Sequence, residues 1–184
     1  MLRKGISKRI FMVVLAVICI CGCVPSCILR GKNVDICEVL LKLCEIENGY
    51  SSDKAVFYFD ETRKCENVDF QLLSGQRFGY LYDGVFEEPV CFGRIEGYAI
   101  RMPLDTSGYE IHIIECVNVS DSEEIGAMLL RRVEKMQSAE ILQYAPESYE
   151  ICFRGAIVYT RGRYAFLLAT PDNDAAVKVI KRLV

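Results

Sequence analysis

Apolar positions change period along the chain, and the changes mark its elements. Residues 10–24 (IFMVVLAVICICGCV) form an uncharged run closed by Pro25. Further on, Ile36, Leu40, Leu43 and Cys44 recur at helical spacing behind Asp35-Ile36-Cys37-Glu38, which has the spacing of a capping box. AVFYF at residues 55–59 is short, aromatic and bounded by Asp53 and Asp60, which predicts a strand. The stretch from 60 to 97 is less periodic, with a short helix expected around residues 70–73. Residues 97–102 and 109–117 flank the turn-forming Asp105-Thr106-Ser107-Gly108 and predict a hairpin. Ser120-Asp121-Ser122-Glu123 again has capping spacing; the helix it opens buries Ile125, Leu129, Val133 and Met136 and stops before Pro146. A second hairpin is expected over residues 150–160 and 163–169, with a turn at Arg161-Gly162 and a bulge at Gly155. Asp172 then opens a last helix with Ala176, Val177, Ile180 and Leu183 inward.

Hairpin–helix therefore occurs twice, with Asp121 matching Asp172 and Arg131 matching Arg182. The predicted fold class is α+β: a mostly antiparallel sheet built from two hairpin–helix (ββα) units, helices on one face, preceded by an opening helix and an N-terminal signal or anchor. Residues 1–23 are read as that signal or anchor, 24–32 as a linker and 33–184 as one extracytoplasmic domain.

The first segment reads as an address. Arg3, Lys4, Lys8 and Arg9 precede the apolar run and no acid does, the pattern of a secretory signal with its N-terminus held in the cytoplasm. As a helix the run would reach only about 22 Å, short of the roughly 30 Å of a bilayer core. Ile20-Cys21-Gly22-Cys23 resembles a bacterial lipobox, with Cys21 in place of the usual alanine or serine, and makes Cys23 the lipid-attachment residue. Val24-Pro25-Ser26-Cys27 is a weaker second match. The alternative is an uncleaved anchor over residues 10–29. Either way the expected location is the extracytoplasmic face of a membrane.

Charge narrows the partners. The whole chain is −3, but residues 1–22 carry four of its 22 Lys and Arg and none of its 25 acids, so the remainder is −7. An acidic body excludes nucleic acid and electrostatic binding to anionic polymers. Of ten cysteines, Cys37, Cys44, Cys65, Cys91, Cys116 and Cys152 lie in the body, scattered singly. Without a Cys-x-x-Cys pair there is no zinc-ribbon or redox motif, and the expectation is that most are small buried hydrophobes, any pairing being left open.

The export segment, the opening helix, Tyr-Glu-Ile-x-Ile-x-Glu from Tyr109, the acid-capped helix with Arg131-Arg132, and Gly-Arg-Tyr-Ala-Phe-Leu-Leu from Gly162 together resemble an uncharacterised lipoprotein family of Gram-positive bacteria. Its members carry a C-terminal domain of unknown function. The resemblance covers residues 97–184 and implies an α+β domain outside the cell; it implies no activity.

Candidate chemistry is sparse. His112, the sole histidine, shares a strand face with Glu110 and Ile114 and is expected to be solvent-facing or at a rim. Gly75-Gln76-Arg77-Phe78-Gly79 lacks the Lys-Ser/Thr of a phosphate loop. Asp83, Glu87 and Glu88 form an acidic stretch without calcium-loop spacing. The aromatic segment with Phe78, Tyr80, Tyr82, Phe86 and Phe92 is the best candidate for a ligand or partner surface, but the reading that these rings form strands or fold down to close the core stands ahead of it. No catalytic residue, metal or cofactor is implied. The expected function is thus a non-catalytic binding or accessory lipoprotein at the cell envelope, with the membrane and an envelope protein or small ligand as partners. The alternative is an extracytoplasmic hydrolase or thiol enzyme using the loop carboxylates or Cys91.

Overall fold

In the computed structural model the described residues are 34–46, 55–63, 65, 68–104, 107–145 and 147–184. The signal or anchor, Cys23 and the linker lie outside them. The elements are α1 (Ile36–Cys44), β1 (Ala55–Phe59), β2 (Phe70–Gln71), α2 (Gly75–Asp83), β3 (Ile95–Pro103), β4 (Glu110–Cys116), α3 (Ser122–Met136), α4 (Ala139–Leu142), α5 (Glu147–Arg154), β5 (Ile157–Arg161), β6 (Tyr164–Ala169) and α6 (Asn173–Leu183). Short 3-10 turns at Val90–Arg94 and Val119–Asp121 lead into β3 and α3.

The six strands form one mixed sheet in the order β2-β1-β3-β4-β6-β5. Only β1 and β2 pair in parallel; the other neighbours are antiparallel. Helices cover both faces, not one. α1 and α6 pack Leu40, Leu43, Ala176 and Ile180 against Phe59, Ile111, Ile113 and Phe166. On the opposite face α2, α3 and α5 bring Phe78, Ile125, Leu129 and Phe153 against Ile100, Ile114 and Leu167. Every residue of β4 and β6 is consequently buried. A strand covered on both sides has no solvated face, which is why YAFLLA reads as an unbroken apolar run, while the polar residues of YEIHIIECV (Glu110, His112 and Glu115) are buried and need partners inside the protein.

The two halves are alike in element order only. Neighbouring antiparallel strands such as β4 and β6 are interchanged by a rotation about the sheet normal, which keeps a helix on its face. α3 and α6 lie on opposite faces, so the second half is not a rotated copy of the first.

Local signals set most helix ends. Asp35 accepts from the backbone N–H of Cys37 at 2.9 Å and of Glu38 at 3.3 Å, and Asp172 accepts from that of Ala175 at 2.8 Å. The box before α3 falls two residues earlier than the sequence spacing suggested: Asn118 and Asp121 cap each other across the 3-10 turn. Residues 150–154, expected as strand, belong to α5, and Gly155 marks the exit from that helix and not a bulge. Residues 70–71 form β2 instead of the expected helix. The tight β5–β6 turn places Gly162 at φ +56°, where a side chain would be strained. A disulfide, Cys37–Cys65, ties α1 to the segment that follows β1, while Cys44, Cys91, Cys116 and Cys152 are buried.

Candidate functional site

The predicted aromatic surface divides on folding. Residues 75–83 are α2, neither a loop nor a strand, and helical spacing sends Phe78 and Tyr82 into the core while Tyr80 points outward. Phe78 and Tyr82 thus lie in the interior, as the core reading expected, and only Tyr80 of this helix is left for the candidate surface. Glycine explains the departure. Gly75 and Gly79, one helical turn apart, present a smooth stripe on which the returning segment 84–89 lies: a Cβ on Gly79 would overlap the Glu87 carbonyl, and one on Gly75 the Glu88 carboxylate. Gly84 closes the helix in the left-handed region, at φ +77°. Phe86, on the return, stacks on Tyr80 with ring centroids 4.4 Å apart, so the two exposed rings cover one another.

Phe92, the fifth aromatic, has a different place. It lines an open cleft of about 570 Å³ with Asp60, Glu61, Leu72, Leu73, Ser74, Arg77 and Tyr98. That volume falls within the roughly 300–1,000 Å³ of small-molecule sites. Tyr98 organises it. Its backbone N–H donates to Asp60 Oδ2 at 3.0 Å, while its phenol oxygen accepts from the Leu73 N–H at 2.9 Å and donates to the Leu73 carbonyl. The acidic end of the cleft and the start of α2 are thus held about one tyrosine side chain apart. Phe78 supports both rings from below, edge-to-face with Phe92 and with Tyr98 at 5.1 Å each. Burial raises the Tyr98 phenol above its ordinary value, against the Leu73 hydrogen bond, so it stays protonated.

Polar groups around the cleft differ in how they are occupied. Asp60 is committed: Oδ1 accepts from the Thr62 N–H and hydroxyl at 2.7 and 2.6 Å, fixing the turn after β1. Glu61 and Arg77 are exposed, and neither charged group has an ion-pair or hydrogen-bond partner among the described residues. Ser74 caps α2 by accepting from the Arg77 N–H.

A second polar constellation lies inside the sheet–helix interface. Tyr82 Oη is 2.7 Å from His112 Nδ1, and Glu110 accepts a two-pronged contact from Arg132 at 2.6 and 2.9 Å. His112 Nε2 is 2.6 Å from Glu110 Oε1, close but poorly aligned for a hydrogen bond. His112 is fully buried, not at a rim, because α2 and α3 cover the face of β4 that carries it. Burial holds its pKa below the ordinary value despite the pull of Glu110, which leaves a neutral ring. Burial alone would raise Glu110, but the Arg132 guanidinium and His112 outweigh it and bring it to about 2. The neutral tautomer matching both neighbours has Tyr82 donating to Nδ1 and the ring proton on Nε2. Neither Glu110 nor His112 reaches solvent.

The remaining candidates are separated. Asp83 pairs with Arg131 at 2.6 Å at the end of α2, whereas the Glu88 carboxylate lies against Gly75 at its start, about 12 Å away along the axis. Cys91 is buried with its Sγ on Met128 Sδ at 3.7 Å, and burial pushes its pKa up. Burial pushes the Cys116 thiol up to about 12. A protonated, covered thiol is a poor nucleophile.

Sequence reasoning missed Arg132, Asp60, Glu61, Arg77 and Tyr98. Arg132 carried a usable signal: it stands beside the apolar stripe of α3, between Leu129 and Val133, where a charge needs a buried partner. Among the described residues no helix is long and apolar enough to cross a membrane, and no three His, Cys, Asp or Glu side chains group as a metal site. No protein-family model matches the chain, nor does any curated protein or solved structure.

Proposed function

We propose that the chain is a membrane-tethered extracytoplasmic protein that binds a ligand or partner and performs no catalysis itself. One observation carries this reading: His112, Glu110 and Cys91 are buried, with His112 held by Tyr82 and Glu110 by Arg132, whereas the open cleft presents Glu61 and Arg77, without ion-pair partners among the described residues, over an apolar floor. Reaction needs a nucleophile and base that substrate reaches; binding needs shape, apolar area and a few unsatisfied polar groups.

The address belongs to the same proposal. Cys23 is the proposed lipid-attachment residue, with the uncleaved anchor over residues 10–29 as its rival. The Cys37–Cys65 disulfide supports an oxidising compartment independently of the N-terminal pattern, because such bonds are uncommon in reducing cytosol. The resemblance to Gram-positive lipoproteins fits the same location.

Metabolic palmitate labelling with surface proteolysis of intact cells tests the tether. Label on the wild type that is lost in Cys23→Ser, with the body cleaved by added protease, is expected. A chain that is protected in intact cells, with Cys37 and Cys65 both alkylated by a thiol reagent without prior reduction, would overturn the extracytoplasmic reading. Turnover of a hydrolase substrate by the purified wild type, lost in Cys91→Ser, would overturn the non-catalytic one.

A further inference from the structure

We propose that the cleft beside Tyr98 takes a small zwitterion with an apolar body, an apolar α-amino acid or the equivalent short peptide. The proposal rests on the binding-protein reading above and names the ligand class for that site. Three features converge on it. Asp60 and Glu61 put two carboxylates at one end of the cleft, Asp60 held rigid by Thr62 and Tyr98 and Glu61 without an ion-pair partner among the described residues. Arg77, also without one, stands with Ser74 at the other end, where α2 begins. Between them the lining is Leu72, Leu73, Phe92 and the Tyr98 ring.

Charge sorting excludes the simpler ligands. A purely anionic molecule would meet the Asp60–Glu61 pair, and the body of the chain is already −7. The first-turn amides of α2 favour an anion, but Glu88 against Gly75 offsets them, so Arg77 is the main group that receives a carboxylate. A purely cationic molecule long enough to cover the apolar floor would carry its charge toward Arg77 or leave Arg77 unmatched. An ammonium at Asp60–Glu61 and a carboxylate at Arg77, on opposite ends of one short apolar skeleton, satisfies both ends. A hydrogen bond to a charged partner is about twice as strong as a neutral one, which suits a shallow site that cannot rely on enclosure.

Equilibrium dialysis of the full-length chain in detergent against radiolabelled phenylalanine, N-acetylphenylalanine and phenylalaninamide tests it. Phenylalanine is expected to bind about five- to tenfold more tightly than either blocked derivative, each of which lacks one charge. Arg77→Gln should weaken phenylalanine to the level of the amide while leaving the amide unchanged. Glu61→Gln should do the same relative to the N-acetyl derivative. Both positions are exposed, so both variants fold, and unchanged thermal melts verify this. Equal binding of all three probes would mean apolar adsorption and overturn the proposal, as would absence of binding or binding that neither variant alters. Such a failure leaves the tethered-binding reading to be judged by the labelling and proteolysis results, which do not depend on the cleft.

Discussion

Two clusters of similar chemistry sit on the same molecule and do opposite things. Tyr82, Glu110, His112 and Arg132 are closed off and in mutual contact; Asp60, Glu61, Arg77 and Tyr98 line an open cleft in which Glu61 and Arg77 have no ion-pair partner among the described residues. Residue type does not distinguish them, since each has at least one acid, an arginine and a tyrosine. Cover does. The first lies under α2 and α3, where a charge without a partner is costly; the second lies where water supplies what the protein does not. The first cluster is positioned to hold structure and the second is the proposed recognition site, so the two should respond differently to substitution.

The largest effect is expected from Glu110→Gln. It leaves Arg132 largely buried without its carboxylate, and breaking a buried pair from one side costs about 3–5 kcal/mol. Denaturant unfolding should show that loss, with ligand binding by the folded fraction unchanged. A loss below about 1 kcal/mol would mean that Arg132 finds another partner and that the cluster is not a structural unit.

The Cys37–Cys65 bond comes next. It closes a loop with a sequence separation of 28, for which chain entropy gives about 3–4 kcal/mol. Asp60 and Glu61 lie inside that loop, between β1 and Cys65. Cys37→Ser should therefore lower stability and also weaken binding at the cleft, unlike Glu110→Gln. If the variant binds as tightly as the wild type when folded, the bond stabilises the domain without shaping the cleft.

Acid should act through the closed cluster. His112 has a folded pKa below its ordinary 6.5, so the unfolded chain takes up that proton first and stability begins to fall below about pH 6.5. Glu110 is lowered from about 4.5 to about 2; its contribution is complete above pH 4.5 and is lost progressively as pH falls toward 2. Denaturation midpoints against pH should show both legs in the wild type, only the upper in Glu110→Gln and only the lower in His112→Gln. A wild-type profile flat from pH 7 to 3 would contradict the geometry of the cluster.

How far the sequence discloses these clusters depends on the range of the interactions. The Asp35 and Asp172 caps, the β3–β4 hairpin and the stripe of α3 are set within a few residues, and were legible. The second helical layer was not. Adjacent Ile113 and Ile114, each fully buried, were the available sign that β4 has no wet face. Missing it placed His112 at a rim, although the alternation that sets it beside Glu110 held. α2 was obscured because Gly75 and Gly79 suggest a loop by propensity, yet here serve a close approach of backbone that only the folded chain reveals. Neither the Glu110–Arg132 pair, 22 residues apart, nor the assembly of the cleft from four segments has a local signature.

The smallest stability effect is the one that sharpens the comparison most. Arg77→Gln removes a charge that has no ion-pair partner among the described residues, from the solvent side of α2. Surface changes of that kind stay within about 0.5 kcal/mol, so the melting curve should overlay that of the wild type. Arg132→Gln is the matched control: the same substitution, on the arginine that faces Glu110, should lower stability severalfold more because Glu110 is then buried without its partner. If the two arginines differ in this way in unfolding, and in the reverse way in binding, the division between a closed structural cluster and an open recognition cluster holds. Equal destabilisation by both would show that Arg77 is itself part of the packing of α2, and the cleft would lose the cation on which its ligand class depends.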